Sequence, residues 1–352
     1  MVEAGQDPAA LERKAETQAR SQTIRTYEDL VEAYFAACEA GAYQPKGHPK
    51  KPATIEAERS LYRRHLKKEL ARQSIGEISR AEIKAATGVM RAKGITTQSN
   101  HAHALIRQTF SYAVDRELVS VNPAMGLRAP APKRARERTL DDTELKALWA
   151  ALKDRSGLKD AAGQAVSVGD AVAIALRLVG LLLQRRAEVA TMRIEDLDLE
   201  HGIWIIPSGR AKNGRAHSVP LPPASVALIK AALALKNRRE STFVFPSPRD
   251  AKASVHPDAL TRAMGKLMKA LGLKLAGPHD LRRTGSSVLA SERGGVQPFV
   301  ISQLLNHTAD GGGGSATTRR HYNLHLYASE KRQALEAWGV LLGQITEGAQ
   351  AT

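Results

Sequence analysis

His279-Asp280-Leu281-Arg282 follows Gly277-Pro278 and precedes an apolar face carried by Leu281, Val288 and Leu289. Proline is tolerated in the first turn of a helix, because the N–H it lacks is one that a helix start leaves unpaired, so a helix is expected to begin here. His279 and Arg282 are three residues apart, and side chains at that spacing share a helix face. An imidazole can hold or move a proton near neutral pH, and a guanidinium is a permanent planar cation that fits a phosphate. By itself the pair also describes an ordinary solvated face, since charged groups are mostly exposed. The neighbouring segments decide between these readings.

Downstream, residues 298–305 form a short helical pattern that ends at Asn306-His307. Gly311 to Gly314 with Ser315 is a low-complexity segment expected to be flexible. His321-Tyr322-Asn323-Leu324-His325 then leads into a helix with Leu335, Trp338, Leu341, Leu342 and Ile345 on its apolar side. That stripe either packs on its own domain or docks on a neighbouring copy. Upstream, helical patterns cover residues 257–271 and 224–235. Before them the period changes to that of strands: Ile203-Trp204-Ile205-Ile206 and His217-Ser218-Val219-Pro220-Leu221 flank a Gly-containing turn, with Lys212 at the tip of the expected hairpin. Residues 171–183 are apolar nearly all round, which predicts a buried central helix. Asp141-x-x-Glu144 reads as a capping box at the start of a helix carrying Leu145, Leu148, Trp149 and Leu152.

The first third of the chain is helical in pattern. Leu30, Val31, Tyr34 and Phe35 share one face, and Ala102, Leu105, Ile106, Thr109, Phe110, Ala113 and Val114 another. A helix expected after Thr54 carries Arg59, Arg63, Arg64 and Lys67 around Leu61, Tyr62 and Leu66, a candidate phosphate-contacting surface. Tyr27, Tyr34, Tyr62 and Tyr112 read as core, and so does Cys38, the single cysteine. One cysteine excludes an internal disulfide and a Cys-based zinc site. Residues 129–138 (APAPKRARER), with Lys133, Arg134 and Arg136, make a basic linker. The expected organisation is a polar tail (1–23), a helical domain (24–128), a linker (129–140), a second domain (141–346) and a short tail (347–352), for a mainly α chain with a small antiparallel sheet. At 352 residues two domains are the default.

Lys+Arg exceed Asp+Glu by 52 − 36 = 16, a balance that suggests a polyanionic partner. Nucleic acid is favoured over membrane, because the sequence carries no lipidation motif, long amphipathic anchor or apolar signal segment. A cytoplasmic, nucleoid-associated protein is expected.

Arg185, Lys212, His279 with Arg282, His307 and Tyr322 stand in this order along the chain. Each fits a role in attack on a phosphodiester. Two arginines can hold the non-bridging oxygens where negative charge develops. A lysine can protonate a leaving 5′ oxygen, and histidines can hydrogen-bond the phosphate or relay a proton. A tyrosine can attack and form a covalent link. No carboxylate metal cluster is recognisable, and neither metal nor other cofactor is expected.

The set resembles the tyrosine recombinases, in their phage-integrase branch, over roughly residues 25–345. Gln184-Arg185-Arg186-Ala187-Glu188-Val189 resembles the family's first arginine box, whose first arginine is catalytic. Lys212-Asn213-Gly214-Arg215 with the strand that follows resembles the hairpin lysine. His279-x-x-Arg282 matches the His-x-x-Arg box, and Leu304-Leu305-Asn306-His307 its Leu-Gly-His box with Asn for Gly. Tyr322 and its flanks resemble the nucleophile segment, with Tyr327 a rival five residues on. Leu182-Leu183 stands where the family often has Thr-Gly, so a continued helix is expected in place of a close turn. Glu188 either orients Arg185 through an i,i+3 pair or makes an ordinary surface pair.

The resemblance implies a C-shaped clamp on double-stranded DNA, a 3′-phosphotyrosyl intermediate and strand exchange through a Holliday junction, without ATP. It implies a homotetramer on synapsed DNA, a monomer or weak oligomer when free, and accessory DNA-bending or directionality proteins. The competing readings are a non-catalytic DNA-binding protein of the same fold and a monomeric nicking-closing enzyme like the type IB topoisomerases.

Overall fold

Thr26 and Asp29 start the first helix reciprocally. The Thr26 hydroxyl accepts the Asp29 N–H at 3.2 Å, and the Asp29 carboxylate accepts the Thr26 N–H at 2.9 Å. The structure, a computed structural model, describes residues 24–45, 47–132, 137–211, 213–236, 240–307 and 327–347. The N-terminal tail, residues 348–352 of the C-terminal one, Lys133, Arg134, Arg136, Lys212, the Gly311–Ser315 segment and Tyr322 lie outside the described residues. The chain divides into two units between residues 135 and 136, within the 129–140 stretch.

In the first unit, α1 (Tyr27–Glu39) buries Tyr27, Leu30, Val31, Tyr34, Phe35 and Cys38. Helix α2 (Pro52–Leu61) starts at a proline, two residues before Thr54. It loosens into a π segment at Tyr62–Leu66, where the Lys67 N–H reaches back to the Tyr62 carbonyl, and ends with the turn Lys67–Leu70. A second capping box, Ser79 with Glu82, opens α3 (Arg80–Ala92), and α4 (Thr96–Asp115) completes the unit. Tyr27 stacks on Phe110 at 5.7 Å and shares a hydrogen bond with the Thr109 hydroxyl at 3.1 Å. The four tyrosines expected in the core are buried there, but Val114 is 36 % exposed.

In the second unit the Asp141/Glu144 capping box opens α5 (Asp142–Lys153). Helix α6 (Asp170–Leu182) is buried along most of its length and is followed by the five-residue α7 (Arg186–Ala190). Three antiparallel strands follow in the order β1-β2-β3: β1 (Leu197–Asp198), β2 (Ile203–Ile206) and β3 (His217–Pro220). Trp204 faces Val219 and Ile206 faces His217 across the hairpin. The sequence pattern showed β2 and β3; β1 is too short to display alternation. Then come α8 (Pro223–Leu233), α9 (Pro257–Ala270), α10 (Pro278–Ala290), α11 (Pro298–Leu304) and α12 (Ala328–Glu347).

Helix α6 is the hub of this unit, packed by α5, α8, α9, α10 and α12. Helix α12 packs on its own unit: Leu335, Trp338, Leu342 and Ile345 are buried, and Leu341, also expected on that side, is half-buried. The Trp338 indole N–H donates to the Gly180 carbonyl at 2.7 Å. Among the described residues no helix is long and apolar enough to cross a membrane.

Candidate active site

The N-terminus of α10 is held by Asp280. Its buried carboxylate accepts the Gly277 N–H at 2.8 Å and a guanidinium N–H of Arg283 at 3.1 Å. The Thr284 hydroxyl donates to the Asp280 carbonyl and accepts the Leu140 N–H. This framework leaves His279 exposed in the first turn, while Arg282, one turn on, is 3 % exposed.

Helix α6 does not continue through Leu183. It stops at Leu182, and Leu183 adopts a left-handed conformation with φ of +54°. The expected loss of the close turn is therefore corrected: the turn forms without glycine. A left-handed non-glycine residue costs about 1–2 kcal/mol. Two features offset this. The Leu183 carbonyl accepts an Arg282 N–H at 2.7 Å, and the Leu183 side chain is fully buried. Room for it comes from Gly285, where a Cβ would overlap Leu183 Cδ2 and lie 3.0 Å from the Trp338 ring.

Arg185 immediately precedes α7. Glu188 accepts its backbone N–H at 3.0 Å and its guanidinium at 3.0 Å. The Glu188 side chain is 4 % exposed, so this is an orienting contact and not a surface pair. The second guanidinium arm reaches the Asn306 carbonyl at 3.3 Å.

The site converges on the turn after α11. The Leu304 carbonyl accepts from the Gln184 amide at 3.1 Å and the His217 Nε2 at 3.0 Å. The Leu305 carbonyl accepts from Arg282 at 2.5 Å. The Asn306 carbonyl accepts from Arg185 at 3.3 Å and the Asn213 amide at 3.0 Å. Three successive carbonyls are thus held by donors from the α6–α7 turn, the hairpin, β3 and α10. Next in the chain comes His307, exposed, with its Nε2 3.4 Å from an Arg282 nitrogen. A guanidinium only donates, so that Nε2 accepts.

Burial, followed by the Arg185 charge, pushes Arg282 down to about 10, which leaves it cationic at neutral pH. Burial, followed by the Lys331 charge, pushes His217 down to about 3, so its ring is neutral and its Nε2–H donates to Leu304. Lys331 itself is pushed down to about 8 by burial and donates to the Ser218 carbonyl at 2.7 Å, fastening α12 to β3.

Of the residues singled out from sequence, Arg185, Arg282 and His307 meet at this turn, and His279 shares the first turns of α10 with Arg282. Tyr327 has φ of +60° and sets its ring edge-on against Phe299 at 4.9 Å. In the first unit Arg59 is ion-paired with Glu32 and Glu39, Arg63 with Glu56 and Lys67 with Glu28, while Arg64 bonds the Ser60 carbonyl. Gln184, Asn213 and His217 lie inside the segments that resemble the family, but the sequence alone assigns none of them a role. A polar residue ending a buried apolar helix is the cue that marks Gln184.

The sequence profile of the phage integrase family matches residues 138–327, more than half of the chain. The prophage integrase IntA of Escherichia coli K12 is 26% identical over 283 residues, which cover 78% of this chain and 63% of that protein. The chain thus spans just under two thirds of that relative's length. The tyrosine recombinase XerC of Xylella fastidiosa (strain M23) is 26% identical over 241 residues, covering 67% of this chain and 76% of XerC. Among solved structures, a lambda integrase tetramer bound to a Holliday junction aligns with a TM-score of 0.61 at 16% identity, covering 90% of this chain and 85% of that one. That likeness is one of fold.

Proposed function

The chain belongs to the phage integrase family, and on that premise we propose that it is a site-specific DNA recombinase acting through a tyrosine. The observation that carries the reading is the meeting of Arg185, Arg282 and His307 on one turn, with the Arg282 guanidinium beside the His307 ring.

In this reading Arg185 and Arg282 hold the non-bridging oxygens of a backbone phosphate as negative charge grows on them. The Tyr322 hydroxyl attacks phosphorus and forms a 3′-phosphotyrosyl bond, while the P–O5′ bond breaks. Lys212 gives a proton to the departing 5′ oxygen, and His279 and His307 hydrogen-bond the phosphate or relay the tyrosine proton. The covalent link conserves the energy of the broken bond, so the 5′ hydroxyl of a partner strand can reverse the step without ATP or any cofactor. Two such exchanges among four protomers pass through a Holliday junction. Double-stranded DNA is the substrate, and both units bind it. The free protein is a monomer or weak oligomer, and DNA-bending or directionality proteins assist it in a bacterial cytoplasm, at the nucleoid. Lys133, Arg134 and Arg136 contact the DNA backbone, and so does Arg64, whose guanidinium bonds a carbonyl.

Covalent trapping tests this. Nicked suicide duplexes tiled from the DNA flanking the gene are incubated with wild type, Tyr322→Phe and Tyr327→Phe and run on denaturing gels. An adduct lost only in Tyr322→Phe is expected. Loss only in Tyr327→Phe moves the nucleophile, and no adduct on a duplex bound tightly removes the catalytic reading. Binding is expected to weaken with salt, log K falling by about 0.9 per phosphate contact for each tenfold rise in salt.

A further inference from the structure

The hairpin that carries Lys212 has to be held against the rest of the site. The β2–β3 ladder fixes the strands, and Gly214 and Arg215 at the tip are exposed. Asn213 is the exception, half-buried and bonded across 93 residues of sequence to Asn306. Its Nδ2 donates to the Asn306 side-chain oxygen at 2.8 Å and to the Asn306 carbonyl at 3.0 Å. In return the Asn306 Nδ2 donates to the Asn213 side-chain oxygen at 3.3 Å. That oxygen also accepts the Arg215 N–H at 3.2 Å, closing the tip on itself. A backbone carbonyl only accepts, so the nitrogen of Asn213 must face Asn306, and the orientation of both amides follows. Asn306 has φ of +49°, a conformation asparagine tolerates better than other residues bearing a side chain. Its carbonyl takes the Arg185 guanidinium as well.

We infer that Asn213 is a positioning residue: its amide pair with Asn306 holds the hairpin tip, next in the chain to Lys212, to the Arg185–His307 turn. The inference rests on the reading of Lys212 as the donor to the leaving 5′ oxygen. Without the pair the ladder and the fold remain, but the register between tip and turn is lost. The loss falls on protonation of the leaving group. A sulfur in place of the 5′ oxygen leaves without a proton, so it separates this effect from damage elsewhere in the site.

The experiment compares full-length wild type, Asn213→Ala, Asn306→Gly, the double variant and Lys212→Ala. Single-turnover adduct formation is followed on matched suicide duplexes with a 5′ oxygen or a 5′-phosphorothiolate at the cleavage position, and a thermal melt checks folding. Glycine at 306 accepts the positive φ and removes the side-chain amide while leaving the carbonyl in place. Asn213→Ala is expected to slow the oxygen substrate about 10- to 100-fold, the range a misplaced group costs. It should leave the sulfur substrate near the wild-type rate. Asn306→Gly, which keeps the 306 carbonyl that Asn213 also bonds, should slow the oxygen substrate in the same way but less, and the double variant should be no slower than Asn213→Ala, which already removes every bond of the pair.

An equal loss on both substrates, or no loss on either, overturns the inference. The control separates its failure from that of the underlying reading. If sulfur restores Lys212→Ala but not Asn213→Ala, the positioning role alone falls. If sulfur restores neither, Lys212 is not the proton donor and the inference falls with it.

Discussion

Arg59, Arg63 and Lys67 of the helical unit and the buried cations of the second unit are satisfied in opposite ways. In the helical unit they face carboxylates: Arg59 bonds Glu32 at 2.6 Å and Glu39 at 3.1 Å, with its guanidinium over the Phe35 ring. Arg63 and Lys67 have their own glutamates. In the second unit the buried cations face carbonyls: Arg282 bonds those of Leu183 and Leu305, and Lys331 that of Ser218. Among the described residues the one carboxylate hydrogen-bonded to either site guanidinium is Glu188, on Arg185. An ion pair cancels charge, whereas a carbonyl satisfies the donor and leaves the charge in place. The first arrangement ties helices together; the second keeps positive charge available for an anion. Burial of such charge is costly, and the shifts of Arg282 and Lys331 are the sign of that cost.

The sharpest way to break this comparison is at Arg282. Arg282→Ala removes the charge and leaves two buried carbonyls unpaired. Cleavage should fall on the order of 10³-fold, and stability by about 1–3 kcal/mol per orphaned group, read by adduct kinetics and urea unfolding. Arg282→Lys keeps the charge but cannot span both carbonyls, so it should recover little of the rate. Full activity in the lysine variant would mean that charge alone matters and that the carbonyl anchoring is incidental.

A smaller effect separates the units by their response to conditions. The folded state holds His217 neutral, far below its ordinary value. Its contribution is complete above about pH 6.5 and is lost as pH falls toward about 3, because the unfolded chain takes up the proton first. The slope from this group is at most about 1.4 kcal/mol per pH unit. His217→Gln, which keeps a donor but does not titrate, should flatten the acid limb of the stability–pH curve. Identical slopes in wild type and variant would contradict a neutral buried His217. The ion pairs of the helical unit should respond to salt instead.

The smallest effects belong to those surface pairs. Arg63→Ala should change stability by less than about 1 kcal/mol, since exposed ion pairs contribute little. Arg59→Ala should cost more, because two glutamates and the Phe35 ring lose their partner. If Arg59→Ala instead weakens DNA binding with no change in stability, its pairing with Glu32 and Glu39 is not its main role.

What the sequence made legible was what repeats or what is chemically rare. The apolar stripe of α6, the strand pair around Lys212 and the His279-x-x-Arg282 spacing are visible as patterns. The turn at Leu183 was not, because leucine gives no sign of a left-handed backbone and the residue that permits it, Gly285, lies 102 positions away. The hold on residues 304–306 was equally hidden: its acceptors are backbone carbonyls, which every residue has. Arg59 read as a free cation because Glu32 and Glu39 reach it only through the packing of α1 on α2. Lys212 and Tyr322 stand on their sequence context.

The interlock of Leu183 with Gly285 also constrains the order in which this site could have changed. A side chain at 285 would force the Leu183 side chain to shift, and leucine at 183 as it stands uses the space that glycine at 285 leaves. A change from glycine to leucine at 183 is therefore easier where glycine already stands at 285. Leu183→Gly relieves the closer contact at 285 and leaves the Trp338 ring 3.0 Å away, so Gly285→Ala is expected to cost less in that background than in the wild type. The two positions are coupled, and family members with leucine at 183 are expected to carry glycine at 285.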